Sequence, residues 1–117
     1  MMIKNILDCY SSENPGTKAN LTRILMQGRL KGTGKLVILP VDQGFEHGPD
    51  RSFSSYTPAY DPYYPYKLAI DAGLSAYAAP LGWLEAGAGK FFGQIPTILK
   101  INSSNSLVNG GTAPDQA

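Results

Sequence analysis

The sequence predicts an α/β fold with a parallel sheet, because three short apolar runs are separated by segments with helical periodicity. Residues 36–41, 74–79 and 97–101 are each too short for a buried helix. The first run is rich in β-branched residues and does not alternate with polar ones, which is typical of a strand covered on both faces. The strand centres lie about 38 and then about 22 residues apart, as right-handed βαβ units require.

Helix signals fill the segments around these runs. Residues 14–17 form a helix-start signature with Thr17 as the expected N-cap, and Gly28 is the expected stop. Residues 49–65 are expected to be a long loop, rich in proline and in tyrosines that cover apolar surface. A short helix ending at Gly73 should follow this loop, and a further helix is expected over residues 83–92.

Size and composition exclude several classes of protein. Ten basic residues against nine acidic ones give no electrostatic case for binding nucleic acid or a membrane surface. No apolar stretch approaches the roughly 18 residues of a membrane span, and charge interrupts the first residues before signal-peptide length is reached. One cysteine and one histidine supply neither a disulfide framework nor a zinc site. We therefore expect a cytoplasmic protein of at most one domain, without metal or cofactor, whose partners are small molecules or proteins.

The end of the first predicted strand carries a candidate site. Asp42, Glu46 and His47 follow it in close succession, with Gly44 and Gly48 between them. Ligands in α/β folds bind at the carboxyl ends of the strands, so this cluster predicts a binding or catalytic site. Acidic residues and glycines are also ordinary turn residues, which leaves a plain polar loop as the alternative.

Lys100 interrupts the third apolar run. Burial of an unpaired ammonium is strongly unfavourable, so this lysine is either paired, hydrated or chemically active, or it lies on a solvent-exposed face. Barrel enzymes gather their catalytic groups from the carboxyl ends of several strands, as Asp42 and Lys100 would be. An eight-stranded barrel needs about 250 residues. The chain is therefore either a small open α/β domain or the amino-terminal part of a larger (β/α)₈ barrel.

Four stretches of the sequence match a known family in order. They are NPGT at residues 14–17, VDQGFEHGP at 41–49, YAAPLGWLEAG at 77–87 and ILKINS at 98–103. Together they resemble the class I fructose-bisphosphate aldolases of the bacterial and archaeal type, often called the DhnA type. The resemblance covers residues 13–107 and stops short of the family's carboxyl-terminal half.

The resemblance implies a TIM (β/α)₈ barrel that reversibly cleaves fructose 1,6-bisphosphate to dihydroxyacetone phosphate and glyceraldehyde 3-phosphate, in glycolysis and gluconeogenesis and without a metal. In such enzymes a lysine on the sixth strand forms a Schiff base with the substrate ketone and acts as the electron sink. That lysine would lie beyond Ala117. The chain is thus expected to be a fragment of about three βα units without the nucleophile, from an enzyme that forms a homo-oligomer at full length.

The same resemblance assigns the site residues and the segments. Asp42 is the expected contact to substrate hydroxyls and a member of the proton-transfer set, and Lys100 is expected to pair with Asp42 or to steer phosphate. The expected substrate-binding residues are Gln43, His47, Asn102 and Ser103. Residues 1–35 would be a leading segment with a helix, residues 36–107 the first three βα units, and residues 108–117 a frayed tail.

Two other functions stay open at this point. A related sugar-phosphate enzyme of the same superfamily, such as a transaldolase or a thiolase, could use the same strand ends on another substrate. A non-catalytic α/β interaction module would instead show a cooperative thermal transition and no binding of sugar phosphates.

Overall fold

A computed structural model of the chain describes residues 2–42 and 53–102. Helices α1 (Met2–Asp8) and α2 (Pro15–Leu25) precede strand β1 (Ile38–Pro40). A 3₁₀ helix (Thr57–Tyr60) and helix α3 (Tyr63–Asp71) lead to strand β2 (Ala76–Ala79), and helix α4 (Leu81–Phe91) leads to strand β3 (Thr97–Leu99). The α/β order predicted from the sequence is confirmed.

The three strands form one parallel sheet in the order β1-β2-β3. Pro40 of β1 is in register with Ala78 of β2, which is in register with Ile98 of β3. Each crossover places its helix against the sheet, because a parallel connection must return the chain to the same edge. The prediction of a parallel sheet is confirmed, and the carboxyl ends of all three strands meet at one edge.

The N-cap of helix α2 lies three positions earlier than predicted. The Asn14 side chain accepts a hydrogen bond from the Thr17 backbone N–H at 2.8 Å, so Asn14 is the N-cap and the prediction of Thr17 was wrong. Pro15 explains the difference, since proline favours the first helical position and leaves the N-cap to the residue before it. The helix ends at Leu25, and Gly28, with φ +71°, forms a turn beyond it.

Helix α1 was not predicted from the sequence. Its apolar residues Ile3, Ile6 and Leu7 are only half-buried, and a helix of seven residues is too short for their spacing to be a clear periodic signal. Within this helix Lys4 Nζ donates a hydrogen bond to the Asp8 carboxylate at 2.9 Å, one helical turn further along. This pair is well exposed to solvent, with side-chain exposures of 72% and 61%.

The expected loop over residues 49–65 is shorter than predicted within the described residues. From residue 53 onward it contains the 3₁₀ helix, and α3 starts at Tyr63 rather than after residue 65. Pro58 and Pro65 lie in the first turn of these helices, where a missing backbone N–H removes no hydrogen bond. Prolines that suggested a loop therefore begin helices instead.

The core lies between the sheet and helices α3 and α4. Tyr66, Tyr77 and Phe91 form its aromatic centre: the Tyr66 ring stacks on Phe91 at 5.0 Å and meets Tyr77 edge-on at 4.7 Å. Tyr66 also donates a hydrogen bond to the Leu84 carbonyl at 2.7 Å. The rings of Tyr66 and Tyr77 are almost completely buried, so the apolar stripes of both helices and one face of β2 are joined here.

The opposite face of the sheet is less well covered. Ile38 and Pro40 of β1 are exposed, and the prediction of a first strand buried on both faces was wrong for the described residues. The reason is that successive side chains alternate between faces, and α3 and α4 pack on the face that carries Leu39 and Val41. Among the described residues β1 is also an edge strand, paired with β2 on one side.

Candidate active site at the carboxyl end of the sheet

The register of the sheet places three residues at one level beyond the strand ends. Pro40, Ala78 and Ile98 are aligned across the sheet. Two residues further along each chain segment come Asp42, Pro80 and Lys100. Because side chains repeat their direction every second residue, these three lie on the face opposite the helices. Two of them are charged, and they come from the two outer strands.

The two charged side chains form an ion pair. Lys100 Nζ donates a hydrogen bond to Asp42 Oδ2. The side chains are 29% and 14% exposed, which places the pair between full burial and free hydration. In such surroundings the attraction between opposite charges is stronger than in water, and both groups remain reachable from solvent. The structure thus brings together the two predicted catalytic residues and shows the predicted pairing between them.

Backbone hydrogen bonds hold the strand ends just below this pair. The Val41 N–H donates to the Ala78 carbonyl at 2.8 Å, and the Lys100 N–H donates to the Ala79 carbonyl at 3.1 Å. These bonds fix the backbone on either side of β2 up to the residue next to Asp42 and up to Lys100 itself. The Asp42 and Lys100 side chains therefore project from a hydrogen-bonded edge rather than from a free loop.

The other predicted site residues are only partly covered by the structure. Asn102 is described and exposed, two residues beyond Lys100. Gln43, His47 and Ser103 lie outside the described residues. Their predicted role in binding substrate stays a prediction.

Two cavities lie on the helical side of the sheet, away from this pair. One, of about 230 Å³, is lined mainly by apolar side chains of β1, α3 and the segment between them, including Leu39 and Phe53. The other, of about 310 Å³, lies beside α4 and is bordered by Arg23, Glu85 and Phe92. Neither is lined by Asp42 or Lys100, so the charged pair lies at an open edge and outside both cavities.

The buried tyrosines belong to the core rather than to the site. Burial raises the pKa of Tyr77, with a further contribution from neighbouring Tyr66, and burial also raises the pKa of Tyr66. Both phenols face the helices and remain protonated at neutral pH. They contribute packing to the core, on the face of the sheet opposite Asp42 and Lys100.

Two features are absent from residues 2–42 and 53–102: a metal-ligating cluster and a membrane-spanning helix. In that part of the chain no group of three or more histidine, cysteine, aspartate or glutamate side chains is placed to hold a metal ion. None of the helices described there has the length and hydropathy needed to cross a bilayer.

Sequence comparisons identify relatives of one kind. The chain is 40% identical over 97 residues to a probable fructose-bisphosphate aldolase class 1 of Chlamydia trachomatis, a match that covers 83% of this chain and 28% of the relative. It is also 40% identical over 78 residues to a fructose-bisphosphate aldolase class 1 of Thermoproteus tenax, covering 66% of this chain and 28% of that protein. No protein-family model matches the chain.

A structural comparison agrees with the sequence relatives. A solved Schiff base-forming fructose-1,6-bisphosphate aldolase, studied for its reaction intermediates, superposes with a TM-score of 0.54 at 38% sequence identity. The match covers 66% of this chain and 29% of that structure. The present chain therefore spans a little over a quarter of the length of the proteins that it resembles.

Proposed function

Because this chain is a homologue of the class I fructose-bisphosphate aldolases, we propose that it forms the amino-terminal part of an aldolase (β/α)₈ barrel. Residues 1–35 would lead into the barrel, residues 36–107 would supply its first three βα units, and residues 108–117 would be a frayed tail. The parallel order β1-β2-β3 supports this, since strands of such a barrel are neighbours in chain order. The coverage of 28% of the relatives' length supports it as well.

The proposed reaction is the reversible cleavage of fructose 1,6-bisphosphate through a Schiff base. The imine-forming lysine would come from a later strand of the complete barrel and not from residues 1–117. The pairing of Lys100 supports this division, because its Nζ already donates a hydrogen bond to the Asp42 carboxylate and is held at the edge of the sheet. Lys100 is therefore a fixed cation in this proposal.

Asp42 and Lys100 would act as one unit at the mouth of the barrel. The Asp42 carboxylate would contact substrate hydroxyls and take part in proton transfer as the carbon–carbon bond breaks. Lys100 would hold that carboxylate in place through the hydrogen bond to it, and its charge would attract the phosphate oxygens of the substrate. Gln43, His47, Asn102 and Ser103 would surround the substrate. The observation that carries the proposal is the ion pair at the carboxyl edge of a parallel sheet.

A chimera tests the proposal directly. The stretch of the Thermoproteus tenax aldolase that aligns with this chain would be replaced by the matching residues of this chain, and cleavage of fructose 1,6-bisphosphate would be measured. We expect an active chimera whose activity falls when Lys100 is changed to Met. The control is Lys4→Met, which removes the exposed lysine of α1 in a chimera extended to include it. Full activity in the Lys100→Met chimera would contradict the proposed site.

A second experiment addresses the residues 1–117 alone. The chain would be incubated with dihydroxyacetone phosphate and borohydride, and its lysines would be examined by mass spectrometry. We expect no reduced adduct, because the imine-forming lysine lies elsewhere in the proposed enzyme. An adduct on any lysine of this chain would refute that part of the proposal. In its complete form the enzyme is proposed to be cytoplasmic and homo-oligomeric.

A further inference from the structure

We propose that Pro80 is a positioning residue for the Asp42–Lys100 pair, because it occupies the place between them with a short, rigid ring. The importance of that pair for catalysis rests on the proposed function. The placement of Pro80 rests on the sheet alone. No resemblance or comparison assigns a role to this residue.

The register requires the pair to bridge an intervening strand. Asp42 follows β1 and Lys100 follows β3, while Pro80 follows β2 at the same level. Neighbouring strands lie about 4.8 Å apart, so the backbones of Asp42 and Lys100 are separated by roughly 10 Å. Their side chains can meet only by passing over the position of residue 80.

The side chains that lie between Asp42 and Lys100 on this face of the sheet are small. Ala78, one level below, has a single methyl group, and the Pro80 ring closes back onto its own backbone nitrogen. Pro80 is buried, although it lies at the edge of the sheet where Asn102 is exposed. A long side chain at position 80 would project from the same face as the charged groups and would stand between them.

Proline also suits the backbone at this position. Pro80 is extended, with φ −62° and ψ 162°, and its carbonyl accepts the N–H of Leu84 at 3.2 Å as α4 begins. A residue with an N–H at position 80 could continue the ladder toward β1 by one further hydrogen bond. Proline has none, so the ladder ends at the level of the charged pair, and its ring holds φ at the value found where the strand turns into the helix.

The inference makes opposite predictions for two substitutions. Pro80→Leu places a branched side chain between the carboxylate and the ammonium and should separate them. Pro80→Ala removes the ring but adds nothing between the charges, so the pair should persist. A merely structural role of the proline would make both substitutions harmful, since each of them loses the fixed φ.

Competitive acetylation of the full 117-residue chain can measure the pair. A trace of isotopically labelled acetic anhydride reacts more slowly with a lysine whose Nζ is held by a carboxylate, and mass spectrometry gives the rate at Lys100 relative to Lys4. Lys4 is a suitable reference because it pairs with Asp8 on α1, far along the chain from the site. Asp42→Asn should raise the relative rate at Lys100 by about fivefold, the effect of losing one modest ion pair.

Pro80→Leu should raise the rate at Lys100 by a similar factor, and Pro80→Ala should leave it within about twofold of the unmodified chain. The double variant Pro80→Leu with Asp42→Asn should show no further increase, because both changes break the same contact. Equal effects of Leu and Ala at position 80, or additive effects in the double variant, would overturn the inference. So would an unchanged rate after Asp42→Asn.

Folding is monitored by near-ultraviolet dichroism of the buried tyrosines. If Pro80→Leu loses that signal, Pro80→Met takes its place, since its flexible side chain enters the same space with less strain. The same outcomes then apply to the Met variant. The assay contains no sugar phosphate, so inactivity of the aldolase chimera would refute the proposed function and leave this result unchanged, and the reverse also holds.

Discussion

The two faces of the sheet differ in burial and in charge. Toward α3 and α4, Tyr77 and Ala79 are buried among stacked rings and make the core. On the other face, the residues of β2 are alanines and Ile38 of β1 is exposed. Beyond the carboxyl ends of the strands, the same face carries the Asp42–Lys100 ion pair. One face supplies stability through apolar burial, and the other supplies charge at the strand ends. Substitutions on the two faces should therefore change different properties.

The largest expected effect on stability is at Phe91. Its ring stacks on Tyr66 and meets Tyr63 edge-on, and it is 7% exposed. Phe91→Ala should lower the free energy of unfolding by about 3–5 kcal/mol, because it removes a buried ring and leaves a cavity. Urea unfolding followed by the fluorescence of Trp83 measures this.

The adjacent Phe92 is the matched control. It is 88% exposed, so Phe92→Ala should change the free energy of unfolding by less than about 0.5 kcal/mol. Equal losses for both phenylalanines would contradict the assignment of the core to the inner side of α4.

The largest effect on the other face should be on catalysis. In the aldolase chimera, Asp42→Asn should lower kcat by about 10²–10³-fold, since the amide cannot transfer a proton. The same change should lower the free energy of unfolding by only about 1 kcal/mol, because Lys100 stays partly hydrated. Steady-state kinetics and urea unfolding of the same protein separate the two quantities. A large loss of stability with unchanged kcat would reverse the distinction between the faces.

Two glycines of α4 test whether the face of the sheet covered by helices is tightly packed. A methyl group at Gly87 would collide with the ring of Tyr66, on the face of α4 that packs against α3. Gly87→Ala should destabilise the chain by about 1–3 kcal/mol through overpacking. Gly89→Ala is the control on the same helix: among the described residues its methyl group meets no neighbour within 4 Å, and the higher helix propensity of alanine should stabilise the chain by about 0.5–1 kcal/mol. Thermal unfolding should therefore shift in opposite directions for the two variants.

The smallest effect concerns a single hydroxyl group in the core. Among the described residues, the Tyr77 hydroxyl has no hydrogen-bond partner although it is buried. Tyr77→Phe should therefore be neutral or stabilise by up to about 1 kcal/mol. Tyr66→Phe is the counterpart, and it should destabilise by about 1 kcal/mol because the hydrogen bond to the Leu84 carbonyl is lost.

The free energy of unfolding at alkaline pH provides a second test of the Tyr77→Phe variant. Burial raises the pKa of Tyr77 in the folded chain, while the unfolded phenol titrates near pH 10. Its stabilising contribution is complete below about pH 10 and is lost as the pH rises toward the folded pKa, by about 1.4 kcal/mol per pH unit. Tyr77→Phe should reduce this slope in urea unfolding measured between pH 9 and 11, at about half-unit intervals. An unchanged slope would mean that Tyr77 ionises alike in both states.

The sequence predicted a helix or strand correctly where a local residue pattern is compatible with only one type of structure. The apolar runs became three parallel strands, and Gly73, with φ +69°, ends α3 as expected. Prolines were ambiguous: they suggested a loop over residues 49–65, yet Pro65 lies in the first turn of α3. Helix α1 is only seven residues long, so the helical spacing of Ile3, Ile6 and Leu7 was too short to predict it. A proline is compatible with both a loop and the first turn of a helix, and its tertiary contacts determine which of the two forms.

For the site, the sequence by itself determined which charged side chains follow the strands. The similarity to class I fructose-bisphosphate aldolases supported the family to which the chain belongs. Asp42 and Lys100 stood out because charged residues at the ends of apolar runs are unfavourable without a purpose or a partner. Only the tertiary structure decided that they touch, and that Pro80 lies between them. Register sets this outcome, because a shift of one residue would turn any of the three side chains to the opposite face. Register depends on how distant segments pair, which no single run of residues contains.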